Sequence, residues 1–109
     1  MLHVQALWLA LGPSDMRAGM DTLLGQVVRR FGAVQPHHAY IFSNRNATRL
    51  KVLLHDGAGL WLCARRLHAG HFIWPRDANQ EVQISAQQFT WLVAGAPWQH
   101  LEARAIEHV

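Results

Sequence analysis

Eight histidines, seven carboxylates and one cysteine are the groups in this 109-residue chain that could hold a metal, move a proton or attack an electrophile. A zinc centre needs roughly three or four converging ligands, each held by a second layer of partners. His68-x-x-His71, with His55 as a further candidate, has no cysteine in the cluster and no carboxylate at close spacing. That pattern reads as solvated turn histidines. The acids Asp15, Asp21, Asp56, Asp77, Glu81, Glu102 and Glu107 are scattered. Asp15 suits a helix start, Asp21 a pairing with Arg17, and Asp56 a turn. Chemistry on paired metal ions needs carboxylates that hold the two ions roughly 4 Å apart, and nothing in this spacing imposes that. No phosphate-cradling Walker loop, dinucleotide fingerprint or nucleophile elbow is present. The sequence therefore nominates no catalytic residue, no metal ligand and no cofactor, and the expected class is non-enzymatic.

The other chemistry available is positive charge. "FSNRNATRLKVLLHDGAGLWLCARR", residues 42–66, carries Arg45, Arg49, Lys51, Arg65 and Arg66, half of the ten cations of the chain. Two readings compete. Long cationic side chains can cover an exposed sheet surface and guard it against edge pairing. Alternatively, arginine forks and a lysine can grip phosphate oxygens, with Trp61 or Trp74 stacking on bases. The net charge of +3 and pI near 10.0 suit nucleic acid, an anionic membrane surface or an acidic protein equally.

These residues need elements to position them. Half of the chain is hydrophobic and 16% is charged, the balance of a packed domain rather than a disordered one. The apolar residues 3–10 predict a strand buried on both faces. Gly12-Pro13-Ser14 breaks it, and Ser14 is the expected N-cap of a helix over about 15–31. Met16, Met20, Leu23, Leu24, Val27 and Phe31 share one face of that helix. Arg49, Lys51, Leu53 and His55 alternate with Leu50, Val52 and Leu54, and Asp56-Gly57-Ala58-Gly59 is a hairpin turn. With Tyr40–Phe42, Leu60–Leu67 and "HFIWP", residues 40–75 read as a four-stranded antiparallel meander. Val82–Ile84 adds a short strand, and Ser85 with Gln88 predicts a capping box on a second helix.

The expected fold is therefore α+β: one domain over residues 1–96, an antiparallel β-meander of about five strands packed on two helices. A partly helical tail covers 97–109. Cys63, between Leu62 and Ala64, reads as a small buried hydrophobe. As the lone cysteine it allows no internal disulfide, which fits a reducing compartment. No apolar run reaches the roughly 20 residues of a membrane span, so the expected setting is the cytoplasm.

Three blocks, taken together and in this order, carry a resemblance: "DMRAGMDTL", "FSNRNATRLKVLLHDGAGLWLCARRL" and "GHFIWP". They resemble the small accessory protein, TnpB or second open reading frame product, of the sixty-six family of bacterial insertion sequences. The likeness spans residues 7–98. The positions matching the family pattern are Asp15, Met16, Arg17, Gly19, Asp21, Arg45, Arg49, Lys51, Leu53, Asp56, Gly59, Arg66, Leu67, Gly70, Phe72, Trp74 and Pro75. The chain departs from it at Ala18, where lysine is common, at Asn46-Ala47, at His55 and at "HAGH", and most of these changes reduce positive charge.

The resemblance implies a mobile-element protein that assists transposition beside a separate, larger transposase bearing the catalytic acids. The partners implied are DNA at the insertion-sequence ends, the transposase and the element's other accessory protein. On this reading Arg17, Arg45, Arg49, Lys51 and Arg66 are the nucleic-acid-binding candidates. A protein-interaction module without DNA contact is the alternative, and a cryptic metal-dependent nuclease is a third reading.

Overall fold

The structure is a computed structural model that describes residues 3–76 and 81–99. In chain order the elements are β1 (Ala6–Pro13), α1 (Met20–Phe31), β2 (His38–Ser43), β3 (Arg49–His55), β4 (Leu60–Arg66), β5 (Val82–Ile84) and α2 (Ala86–Val93). The strands form one five-stranded sheet in the order β4-β3-β2-β1-β5. The α+β class, the five strands and the two helices agree with expectation.

Strand direction adds a feature that alternation alone did not reveal. β1 and β2 pair in parallel, from Ala6 opposite His38 to Leu9 opposite Ile41, while β2–β3, β3–β4 and β1–β5 are antiparallel. Parallel neighbours need a crossover long enough to carry the chain back. Here α1 provides it, and it buries its apolar stripe on the way. Leu23 and Val27 are fully buried against Ala10, Tyr40, Phe42 and Leu53, with Trp8, Met16, Met20, Leu24, Phe31 and Leu62 around them.

The opposite face is covered by α2 and an irregular segment. Leu7, Leu9, Leu11, Ile41, Leu50 and Leu54 project there from the sheet, meeting Phe72, Leu92 and Trp98. β1 is thus buried on both sides, as its near-continuous apolar sequence requires.

Six local expectations need correction. α1 starts at Met20, not near residue 15, and its N-cap is Gly19 without a side-chain hydrogen bond. Ser14 is occupied elsewhere: its N–H donates to the Ser43 carbonyl at 2.9 Å, extending the β1–β2 pairing, and its Oγ reaches Gln26. Asp15 instead closes a turn by accepting the Arg17 N–H at 2.9 Å, local bonding that competes with the helix. The same turn replaces the expected Arg17–Asp21 pair with Arg17–Asp15.

The fourth strand of the meander is absent. Residues 71–76 run as irregular chain across the sheet, fastened by the Phe72 N–H to the Ala47 carbonyl and by the Trp98 indole to the Ile73 carbonyl, both at 2.7 Å. Gly70 at φ +77 turns the chain onto this path and Pro75 cannot donate to a ladder. Cys63, finally, is exposed. It lies on edge strand β4, whose residues 61 and 63–66 are all exposed.

The capping box holds: Ser85 Oγ accepts the Gln88 N–H at 3.0 Å and the Gln88 side chain returns to the Ser85 N–H at 2.9 Å. Trp98, at the start of the expected tail, is only 3% exposed and belongs to the core. The rest of the expected tail helix falls outside the described residues. Among the described residues, no helix is long and apolar enough to cross a membrane.

Candidate nucleic-acid interface

Strand register decides which cations meet. Pro13 pairs with Ser43, Ser43 with Leu50, and Leu50 with Arg65, so these residues form one row across the sheet. Immediately beyond that row Arg49 stands opposite Arg66, and immediately inside it Lys51 stands opposite Ala64. Directly paired residues on antiparallel strands point to the same face. Arg49, Arg66 and Lys51 therefore share the face on which α1 packs, because the next pair along that face, Leu53 and Leu62, lies beneath that helix.

The helix stops short of the two arginines. The turn leading into α1 sits over Lys51, whose Nζ donates to the Ala18 carbonyl at 2.8 Å. Beyond it lies an open hollow of about 280 Å³ lined by Met16, Arg49, Lys51, Ala64, Arg65 and Arg66. Arg49 and Arg66 are exposed, and among the described residues neither forms an ion pair. Like charges held directly across a strand pair repel, so this end of the hairpin carries an electrostatic cost that no acid among the described residues relieves.

Arg17 belongs to the same end of the sheet but is already engaged. Its guanidinium binds Asp15 through Nε at 3.2 Å and Nη2 at 3.1 Å. That bond, together with the Arg17 backbone N–H and the nearby Lys51 charge, holds the Asp15 carboxyl below its ordinary range. The turn is exposed, so the ion pair can exchange with other anions at little cost.

Arg45 sits in the β2–β3 turn, where Asn44 Oδ1 accepts the N–H groups of Thr48 at 2.9 Å and Arg49 at 3.2 Å. It borders a separate, smaller hollow of about 120 Å³ with Gly12, Pro13, Trp74, Pro75 and Arg76. Arg76 reaches the Arg45 carbonyl at 3.4 Å. Arg76 was not singled out by sequence reasoning, since it follows the last apolar block and carries no periodic signal. The five nominated residues thus fall at one end of the sheet, with Arg49, Lys51 and Arg66 brought together, Arg17 tied to Asp15, and Arg45 across the sheet end in a second hollow.

Arg65 points to the other face, where its Nε donates to the Val93 carbonyl at 2.5 Å. It fastens β4 to the end of α2. Glu81 was also missed. Its carboxylate accepts the Leu11 N–H at 3.0 Å and lies 3.6 Å from Arg30, tying β1 to α1 and to the chain before β5.

The opposite end of the hairpin has a different character. Asp56 accepts the N–H groups of Ala58 and Gly59 at 2.8 and 2.7 Å and the Trp61 indole N–H at 2.7 Å. The indole bond foremost, then the two backbone bonds, lowers its pKa to about 2. Trp61 is 49% exposed, yet it stands at this turn and not beside Arg49 and Arg66. His55 is likewise at the turn end and His68 just past the basic end, roughly 20 Å apart along the strands, so they cannot converge. Among the described residues, no group of three or more histidines, cysteines or acids could hold a metal. Asp15 and Asp56 lie at opposite ends of the sheet.

Comparison with known proteins gives a consistent answer. The family model described as "IS66 Orf2 like protein" matches residues 5–103. Two proteins of Sinorhizobium fredii (strain NBRC 101917 / NGR234) are similar to the chain. The one named "Uncharacterized protein y4hO" is 33% identical over 96 residues, covering 86% of this chain and 83% of the relative. The one named "Uncharacterized protein y4jC" is 28% identical over 103 residues, covering 93% and 87%. No solved structure gives a significant match.

Proposed function

Since the chain belongs to the family of IS66 Orf2-like proteins, we propose that it serves transposition as a non-catalytic accessory protein that grips DNA backbone with the basic end of its sheet. Family membership supports the accessory role. The observation that supports the DNA contact is the apposition of Arg49 and Arg66, with Lys51 one pair inward and no carboxylate neutralising either arginine among the described residues. A phosphodiester relieves that repulsion, and guanidinium forks suit its paired oxygens. Arg45 and Arg17 flank the contact, Arg17 exchanging Asp15 for phosphate. Contacts of this kind position a protein on DNA without reading sequence.

Fluorescence anisotropy on a duplex taken from the element's end, across a salt series, tests the proposal. Neutralising about three or four phosphates gives a slope of log K against log salt of roughly −3 to −4. Arg49→Ala/Lys51→Ala must flatten that slope, and an affinity indifferent to salt or to this double variant rejects DNA contact.

The second reading places the transposase, through an acidic surface, on the same cations. It draws on the open hollow beside Met16, which offers apolar as well as basic lining. Capture of transposase that survives nuclease treatment favours this reading, and loss of capture favours a DNA bridge. A nuclease role has the least support, because Asp15 and Asp56 lie at opposite ends of the sheet.

A further inference from the structure

A sheet has two edges, and here they differ. β5, at one edge, has three residues, whereas β4 at the other has seven and, among the described residues, pairs only with β3. An exposed strand of that length offers a row of unmatched N–H and C=O groups to a further strand. Charged residues usually blunt such edges. In β4 they are confined to one end, Arg65 and Arg66, while Leu60 to Ala64 carry no charge and include Trp61 at 49% exposure.

We infer that β4 is a self-association edge, at which two copies of the chain pair antiparallel about a two-fold axis at Cys63 to form a continuous ten-stranded sheet. The occupant follows from the charge order along the hairpin. Its turn end bears the ionised Asp56 and its other end bears Arg65 and Arg66. Parallel pairing would set arginine beside arginine, while antiparallel pairing sets each basic end against the partner's acidic one. The register that pairs all seven residues puts Arg65 opposite the partner's Trp61, and Arg66 opposite the partner's Leu60. Arg65 and Trp61 lie on the same sheet face, an arrangement that lets a guanidinium cover an indole. The partner's Asp56 carboxylate already binds that indole N–H and adds a negative charge beside the guanidinium. Among the described residues Arg65 spends only its Nε, on Val93, leaving its terminal N–H groups for the contact.

The same operation places Cys63 beside its own copy at the dyad. The arrangement is isologous, as closed dimers require, and it leaves the Arg49–Arg66 surfaces of the two copies on one face of the joined sheet.

Sedimentation equilibrium of the full chain without DNA, from low micromolar to near-millimolar concentration, tests the inference independently of any nucleic-acid binding. A monomer–dimer equilibrium is expected. Trp61→Lys places a cation opposite the partner's Arg65, and Arg65→Glu places an anion beside the partner's Asp56. Each weakens dimerisation by about tenfold or more. Trp61→Lys/Arg65→Glu in one chain restores it, because each dimer then gains two Lys–Glu pairs. Circular dichroism melts verify that every variant is folded. Mild thiol oxidation gives a Cys63-linked dimer well above the level reached by the chain unfolded in urea. A monomer throughout the range, a dimer indifferent to both single substitutions, a double variant that stays monomeric, or cross-linking no better than in urea overturns the inference.

Discussion

Arg49 of β3 and Arg66 of β4 are a directly opposed cross-strand pair of like charge, on the sheet face that α1 leaves uncovered at that end. Such an arrangement works against the fold, which gives mutations here opposite signs in two measurements. Arg66→Glu turns repulsion into attraction across the strands and stabilises the free protein by about 0.5 kcal/mol. The same change weakens DNA binding by tenfold or more and flattens the salt slope by roughly one to two units. Urea unfolding and anisotropy titrations on the one variant read both effects. A loss of stability together with unchanged DNA affinity would mean that the arginines serve the fold.

Lys51 plays a different part from its neighbours. Its ammonium bonds the Ala18 carbonyl and so holds the turn that carries Arg17 onto the sheet. Lys51→Met keeps the buried stem and removes the bond, at a cost of about 1 kcal/mol. Amide hydrogen exchange checks the assignment: protection at Arg17 and Ala18, whose N–H groups both bond Asp15, falls in Lys51→Met and not in Arg49→Ala.

How much of this was legible depends on whether the signal was local. Alternation over Arg49–His55 gave the two faces of β3 correctly, since successive strand side chains point to opposite faces: Leu50, Val52 and Leu54 pack on one side and Leu53 on the other. The turn at Asp56-Gly57 and the box at Ser85–Gln88 were readable for the same reason: their partners lie within a few residues. What depended on distant partners was hidden. Ser14 looked like a helix cap, and only its pairing with Ser43 shows why it is not one. "HFIWP" has strand composition, yet Phe72 and Ile73 spend their backbone bonds on a turn and on an indole. The parallel pairing of β1 and β2 is set by the α1 crossover and not by either strand's own sequence. The site divides along the same line. Arg49 and Lys51 could be placed on one face by counting, whereas the approach of Arg66, the diversion of Arg17 to Asp15 and the presence of Arg76 beside Arg45 needed the folded chain.

Asp56 supplies a pH dependence with a definite sign. Its folded pKa of about 2 lies below the ordinary 3.8, so the carboxylate stabilises the hairpin above the ordinary value. That contribution fades as pH falls from about 4 toward about 2, where the folded-state group protonates. Asp56→Ala removes the acceptor for Ala58, Gly59 and Trp61 and lowers Tm at neutral pH. The difference in Tm between wild type and this variant narrows through the same window. A difference that stays constant down to pH 2 would show that the carboxylate charge contributes nothing to the turn.

Trp98 is buried among the core residues beneath the sheet, and its indole N–H donates to the Ile73 carbonyl, fixing a segment that has no strand to hold it. Its own carbonyl accepts from Gln88 Nε2 at 3.4 Å, which binds the same stretch to α2. Removing so large a buried side chain leaves a cavity, so Trp98→Ala costs about 3 to 5 kcal/mol. Trp98→Phe retains most of the packing and strands the Ile73 carbonyl, for a loss of about 1 to 3 kcal/mol. Urea unfolding of the two variants separates packing from hydrogen bonding. A chain ending at residue 96 should behave like Trp98→Ala, whereas one ending at residue 99 keeps the core contact. Equal stability of both truncations would place Trp98 outside the cooperative fold.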